Sequence, residues 1–363
     1  MYSFIKNSLL CSLVLLASLS NAIAGDANNA VETDTKSSHF SQFVDHFHLG
    51  GYSSGGITLP ERGTAQAGVN EISLLLTWEN EGPISFFSEL ELENPISWNR
   101  HQEFDSQDRY FDLERFYFDY SYSDKVNVRT GRFLTPTGRW NLLHAPPLVW
   151  TTTRPLATSQ LFPTATNGVM AYGASAFDEN IFEYNLFAEV LKDQDEDDDE
   201  PQFKNVRGAH LGYGKTSNGK TTNIGLNLLS FTEKKLPQFT NNRQFIGNNG
   251  AASYRMLGID FIHEYKDVEF LAEAYQRWDA NNKNGGSGGY IQTAVPIPHA
   301  NNWVAIIRAE TLHRPDEGHD SRWVLGATWH IKPTQLLKLE FTGGSADFPE
   351  SPRGFLGSFA VLF

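Results

Sequence analysis

Alternation with a period of two, sustained from about residue 46 to the last residue, constrains this chain more than any other feature. EISLLLTWEN sets Ile72, Leu74, Leu76 and Trp78 on one face. ISFFSELELE sets Ile84, Phe86, Leu90 and Leu92 against Glu89, Glu91 and Glu93. ERFYFDY separates Phe116, Phe118 and Tyr120 from Arg115, Tyr117 and Asp119. WVAIIRAE, RWVLGATWHI and LLKLEFT repeat the pattern later in the chain. Successive strand residues point to opposite sides, so these are strands with one apolar and one polar face.

About sixteen such runs occur, each near the length that a tilted strand needs to cross a bilayer. They lie near 46–54, 69–79, 83–93, 109–121, 125–133, 167–176, 181–191, 206–215, 222–232, 254–265, 267–278, 289–296, 302–312, 321–331, 335–343 and 355–363. The connections alternate in length. NEGP, YSDK, DEN, SNGKTT, YKD, PHANN and KPTQ are short, whereas 94–108, 134–166, 192–205, 233–253 and 344–354 are long. A soluble sandwich gives no reason for that rhythm. A transmembrane antiparallel β-barrel does, with tight turns on its periplasmic rim and longer loops outside. Mean hydropathy is -0.39, which suits a barrel because its apolar face is hidden in alternate residues. The expected fold is all-β, a barrel of about sixteen strands over 43–363, integral to the outer membrane of a Gram-negative bacterium. Its last run, FLGSFAVLF, ends on Phe363 and resembles the assembly signal of bacterial outer-membrane proteins.

The N-terminus reads differently. Lys6, the apolar SLLCSLVLLASL and the small-residue pattern Ala22-Ile23-Ala24 predict a signal peptide over 1–24. Residues 25–42 are polar and patternless, a flexible periplasmic leader. Cys11 follows Leu10 inside the apolar core, which argues against a lipoprotein. It is the chain's single cysteine, so its removal excludes disulfides, cysteine catalysis and cysteine-ligated metals.

If the apolar faces meet lipid, the polar faces line the lumen. They carry Glu89, Glu91, Arg115, Tyr117, Asp119 and Arg129 early, and Asp260, Glu273, Arg308, Glu310, Arg322 and Lys338 later. A barrel this wide is not filled by wall side chains, and so polar an interior holds water. That predicts passage of small hydrophilic solutes, with no catalytic residue, metal or cofactor required.

One stretch breaks the alternation: GRFLTPTGRWNLLHAPPLVWTTTRPL, from Gly131 to Leu156. By count it is the third external loop, the connection between the runs 46–54 and 69–79 being the first and 94–108 the second. Its prolines prevent ladder pairing. Leu142, Leu143, Leu148, Trp150, Leu156, Leu161 and Phe162 would hold it to the inner wall as a constriction loop over 134–166. The alternative is an external lid or a subunit contact. From Lys125 to Phe177 there is no Asp or Glu, although acids number 43 in 363 residues. The candidate constriction set is therefore Arg115, Arg129, Arg132, Arg139, Arg154, His144 and Tyr117, facing a wall of Glu89, Glu91, Arg308, Arg322 and Lys338. Fixed cations in a narrow, poorly screened passage favour anions. The competing reading pairs these arginines with lumen carboxylates such as Glu89 or Asp119.

The acidic run Asp193–Glu200 is no EF-hand, because its sixth position is Asp198 and its twelfth Lys204. It reads as an external loop, solvated or bridged by divalent ions to lipopolysaccharide.

VRTGRFLTPTGRWN, at 128–141, resembles the phosphate-selective porin O/P-like superfamily. The resemblance implies a sixteen-stranded barrel, often trimeric, with a constricting third loop and a basic pore lining. This chain departs in having arginines without lysines in that loop and a lumen rich in Glu. A broader porin for small or anionic solutes follows, embedded in lipid and lipopolysaccharide and without nucleic-acid partners. The rivals are a barrel-embedded hydrolase and a surface β-protein. For a hydrolase, His144, His263 and Ser321 would be candidates, but no motif joins them.

Overall fold

The computed structural model describes residues 46–99, 102–106, 109–191, 202–234, 251–315, 318–348 and 352–363. The expected signal peptide and leader, and the acidic run, lie outside the described residues.

The strands, in order, are β1 (Phe47–Pro60), β2 (Gln66–Glu79), β3 (Ile84–Asn99), β4 (Gln102–Asp105), β5 (Tyr110–Ser123), β6 (Val126–Leu134), β7 (Ala165–Phe177), β8 (Asn180–Glu189) and β9 (Gln202–Ser217). There follow β10 (Lys220–Lys234), β11 (Ala251–Tyr265), β12 (Val268–Asp279), β13 (Asn284–Pro296), β14 (Trp303–Arg314), β15 (Gly318–Lys332), β16 (Gln335–Gly344) and β17 (Gly354–Leu362). Each wall strand pairs antiparallel with the next, and β3 pairs directly with β5. The four-residue β4 folds back on the end of β3. The last strand pairs with the first, Tyr52 opposite Leu362, and the sheet closes. The wall therefore has sixteen strands. Closure leaves no edge, which a sheet in lipid requires because nothing there would bond a free edge.

The two faces separate as the alternation requires. Ile307 is 62% exposed, whereas its neighbour Arg308 is fully buried. Leu228, Leu257, Ile259, Leu325 and Phe341 are likewise exposed on the outside. Glu89, Asp260, Glu273, Arg322 and Lys338 are buried on the inside. Aromatic pairs stand toward both rims. Trp303 stacks on Trp329 at 5.6 Å near the short turns, and Trp323 meets Phe341 at 5.7 Å toward the long loops. Such girdles belong at the two bilayer interfaces. The short turns use left-handed backbone where a tight hairpin demands it: Asn218 and Gly219 have φ of 52° and 72°.

Three boundaries differ from the sequence reading. β1 continues to Pro60, and β3 runs through 94–99, a stretch expected to be loop. There Ile96 and Trp98 are exposed and alternate with Ser97 and Asn99, so the two-residue period continues past Asn94-Pro95, a pair that reads as a turn. The interrupting loop spans 135–164, because Leu134 pairs with Ala165.

Candidate functional site

The 135–164 segment has almost no ladder partners of its own, so its backbone polar groups must be satisfied elsewhere. The inner wall supplies them, with a division of labour. Wall carboxylates and amides take its N–H groups. Gly138 N donates to Asn227 Oδ1 at 2.9 Å, and Arg139 N and Trp140 N donate to Glu273 Oε1 at 2.7 and 2.9 Å. Thr152 N and Thr153 N donate to Glu340, the latter at 3.2 Å, and Leu156 N donates to Glu310 Oε2 at 2.7 Å.

Wall cations take its carbonyls. Lys338 Nζ donates to Pro146 O at 2.6 Å and Thr151 O at 3.1 Å. Arg308 Nη2 donates to Thr153 O at 2.9 Å, and Arg322 Nη2 donates to Arg154 O. Thr328 Oγ1 donates to Trp150 O at 2.7 Å. Prolines fit this scheme, since a proline offers a carbonyl and lacks an N–H.

Arg308 and Arg322 share one acceptor. Their Nε atoms donate to Glu310 Oε1 at 2.9 and 2.8 Å. All three residues are buried. Two guanidiniums on one carboxylate leave an excess positive charge, and the segment's oxygens take up the remaining N–H groups.

Apolar contacts act beside these bonds. A short helix, α1 (Leu156–Gln160), brings Leu156 and Ala157 into one cluster with Leu161 and Phe162 and with Tyr254, Tyr275 and Leu312 of the wall. Burying each aliphatic or aromatic side chain contributes about 1.5–3 kcal/mol. Two expected anchors are corrected: Leu142 is 38% and Leu148 61% exposed. Both fall on the proline-containing stretch held through Pro146 O, where the backbone carbonyl rather than the side chain makes the attachment.

The predicted arginines take carboxylate partners one by one. Arg115 pairs with Glu89. Arg129 donates to both oxygens of Asp119 at 2.8 Å, and its guanidinium lies 3.6 Å from the centre of the Tyr117 ring. Arg132 stands 4.0 Å from Asp112. Arg139 stands 3.1 Å from Asp260, which also accepts from Asn227 at 2.8 Å. His144 Nε2 lies 3.2 Å from Glu114. Glu91 is buried on β3.

Arg154 differs from these. It donates to Asn141 Oδ1 at 2.8 Å and Thr158 O at 3.0 Å, and it lies 5.3 Å from the centre of the Trp140 ring. Burial pushes its pKa down to about 10, so it stays cationic at neutral pH.

Sequence reasoning missed Glu114, Glu340 and Asn227 as site residues. Glu340 was within reach, since it alternates with Lys338. Glu114 was not, because the β3–β5 register shifts between Glu89 and Glu91, opposite Arg115 and Asp112, and breaks the alternation there. The hydrolase candidates do not meet. His263 bonds Thr222 Oγ1 at 2.8 Å near the short-turn rim, and Ser321 bonds Ser345 near the other rim.

No family model matches the chain. A 106-residue stretch is 31% identical to an uncharacterised protein of Aquifex aeolicus, and it makes up 29% of this chain and 22% of that one. The fold is similar to OmpT, an outer membrane protein of Vibrio cholerae in its trimer form (TM-score 0.58, 10% identity, 87% of this chain and 99% of that chain). It is similar to OprB of Pseudomonas putida (0.56, 9% identity, 90% and 96%). It is also similar to an anion-selective porin from Comamonas acidovorans (0.51, 10% identity, 87% and 97%). These likenesses establish the fold, a closed outer-membrane β-barrel whose apolar outer belt suits it to lipid.

Proposed function

We propose that this chain forms a water-filled channel across the outer membrane for passive diffusion of small hydrophilic solutes, narrowed by the 135–164 segment and favouring anions. The observation that carries this reading is the set of buried polar bonds fixing that segment to the wall. A segment held by Glu273, Glu310, Arg308, Lys338 and Glu340 stays in place under solute flow. The likeness to porin barrels and the VRTGRFLTPTGRWN stretch support the same reading, and we propose with it a homotrimer like the trimer form of OmpT.

Anion preference rests on the second half of the segment. Arg154, Arg308, Arg322 and Lys338 stand there with Glu310 and Glu340, an excess of cations in a poorly screened interior. Around Arg139 the balance runs the other way, with Asp260, Glu269 and Glu273. Pairing of Arg115, Arg129, Arg132 and Arg139 favours the second reading, a general or sugar-type porin of weak selectivity.

Reversal potentials across a planar bilayer in a KCl gradient separate the two. Anion permeability should exceed cation permeability and should fall with Arg139→Glu. A cation-selective channel would sink the anion reading. Deleting Thr137–Thr152 should raise conductance, and unchanged conductance would remove the segment as the constriction.

A further inference from the structure

We propose that the outer face of β9–β12 carries a binding site for the phosphate of an anionic glycolipid in the outer leaflet. The proposal rests on the reading of this barrel as a membrane protein with its long loops outside.

The strand register assembles the site. Arg207 on β9 lies opposite Ser230 on β10, Ser230 opposite Arg255 on β11, and Arg255 opposite Trp278 on β12. Ser230 and Trp278 are part-buried, and both arginines are exposed. Together they line a groove of about 690 Å³. The row two residues nearer the short-turn rim reads Ala209, Leu228 and Leu257, with both leucines exposed to lipid. The arginine row therefore sits at the upper border of the apolar belt, on the long-loop side, where outer-leaflet headgroups lie.

Strands are about 4.8 Å apart, so the Arg207 and Arg255 backbones flank Ser230 about 10 Å from each other. Two guanidinium side chains are long enough to meet across that gap at one phosphate, with the Ser230 hydroxyl between them. Arg255 Nη2 donates to Asn282 Oδ1 at 2.6 Å on the β12 side, a bond it would exchange for the phosphate. Without an anion, two like charges so placed repel each other. Among the described residues, the carboxylates at the adjoining strand ends are engaged elsewhere: Glu189 with Val206 N at 2.9 Å, Glu233 with Arg277 at 2.8 Å, and Asp279 with the backbone N–H groups of Asn281 and Lys283. Trp278 supplies an amphipathic ring at the depth where such rings favour the interface.

The test refolds the full chain into phosphatidylcholine vesicles with or without bis-phosphorylated lipid A. Native mass spectrometry then reads the lipid retained by the extracted barrel. The wild type should retain lipid A in preference to phosphatidylcholine. R207Q/R255Q should lower the retained fraction about tenfold, as loss of two charge-assisted contacts implies. Heat-modifiable migration on a gel checks that both proteins fold; if the double variant does not, R207Q alone is read the same way. Equal retention by the variant overturns the site, as does equal retention of phosphatidylcholine or displacement by inorganic phosphate at the lipid's concentration. Conductance of the same preparations judges the channel reading separately, and the variant's should match the wild type's.

Discussion

Arg308 Nη1 donates to Thr151 Oγ1 at 2.7 Å, joining a strand of the barrel wall to a segment that has left it. The same guanidinium reaches Glu310 and Thr153, so one buried side chain ties the wall, its counter-ion and the loop together.

Arg308→Met should therefore free the loop without opening the wall. Removing one member of a buried ionic cluster costs about 3–5 kcal/mol, since its partners are left unpaired. The sheet ladders are untouched, so the barrel should still shift on heating in a gel. Single-channel conductance should rise, and trypsin should begin to cut after Arg139; Arg154 precedes Pro155 and stays resistant.

Arg154→Gln removes a cation whose contacts are an amide, a carbonyl and an indole ring. A unit charge about 10 Å from a permeant ion, at an effective dielectric near 60, is worth roughly 0.6 kcal/mol, favourable to an anion and unfavourable to a cation, or about a sixfold change in permeability ratio. The reversal potential in a KCl gradient should move toward cations by that factor. No movement would place the selectivity elsewhere.

Gly138 has φ of 67°, and a Cβ there would collide with the Tyr275 hydroxyl and the Glu273 carboxylate. Gly138→Ala should loosen the bonds that Glu273 makes to Arg139 and Trp140, at about 1–3 kcal/mol. Gly219→Ala is the control. Its φ of 72° is similar, but nothing lies within 4 Å. Conductance noise should rise for the first and stay flat for the second.

Ile307 is an outward residue within the apolar belt, and Ile307→Arg should cost about 2–4 kcal/mol in reversible unfolding from a bilayer. Leu49→Arg, near the short-turn rim, should cost about 0–1 kcal/mol. Equal costs would mean that the outer face does not meet lipid as a belt.

The sixteen wall strands were legible because lipid and lumen impose opposite demands on alternate residues, and that demand is written locally. The partners of the loop were not. Arg139 finds Asp260 on β11, and Trp140 finds Glu273 on β12, both far along the chain. An acid-free stretch of sequence therefore looked unneutralised when its counter-ions were supplied by other strands. Lys338 and Arg308 read as pore-facing charges, yet they serve the carbonyls of a segment that has no sheet to bond with. Neither role has a local signature.

The seam between β1 and β17, with Gly51 and Phe363 exchanging backbone bonds at 2.9 Å, has a kinetic consequence. Every other ladder of the wall joins strands consecutive in the chain and forms by short-range closure, however long its loop. This one waits for the final strand, and a pairing of such sequence separation is slow to find. Until it forms, the nascent sheet carries two bare edges, and each is a template for a neighbouring chain. The interval before closure is thus the period of greatest aggregation risk. Holding β1 and β17 apart from other chains during that interval is the task that any assembly factor acting on this barrel must perform.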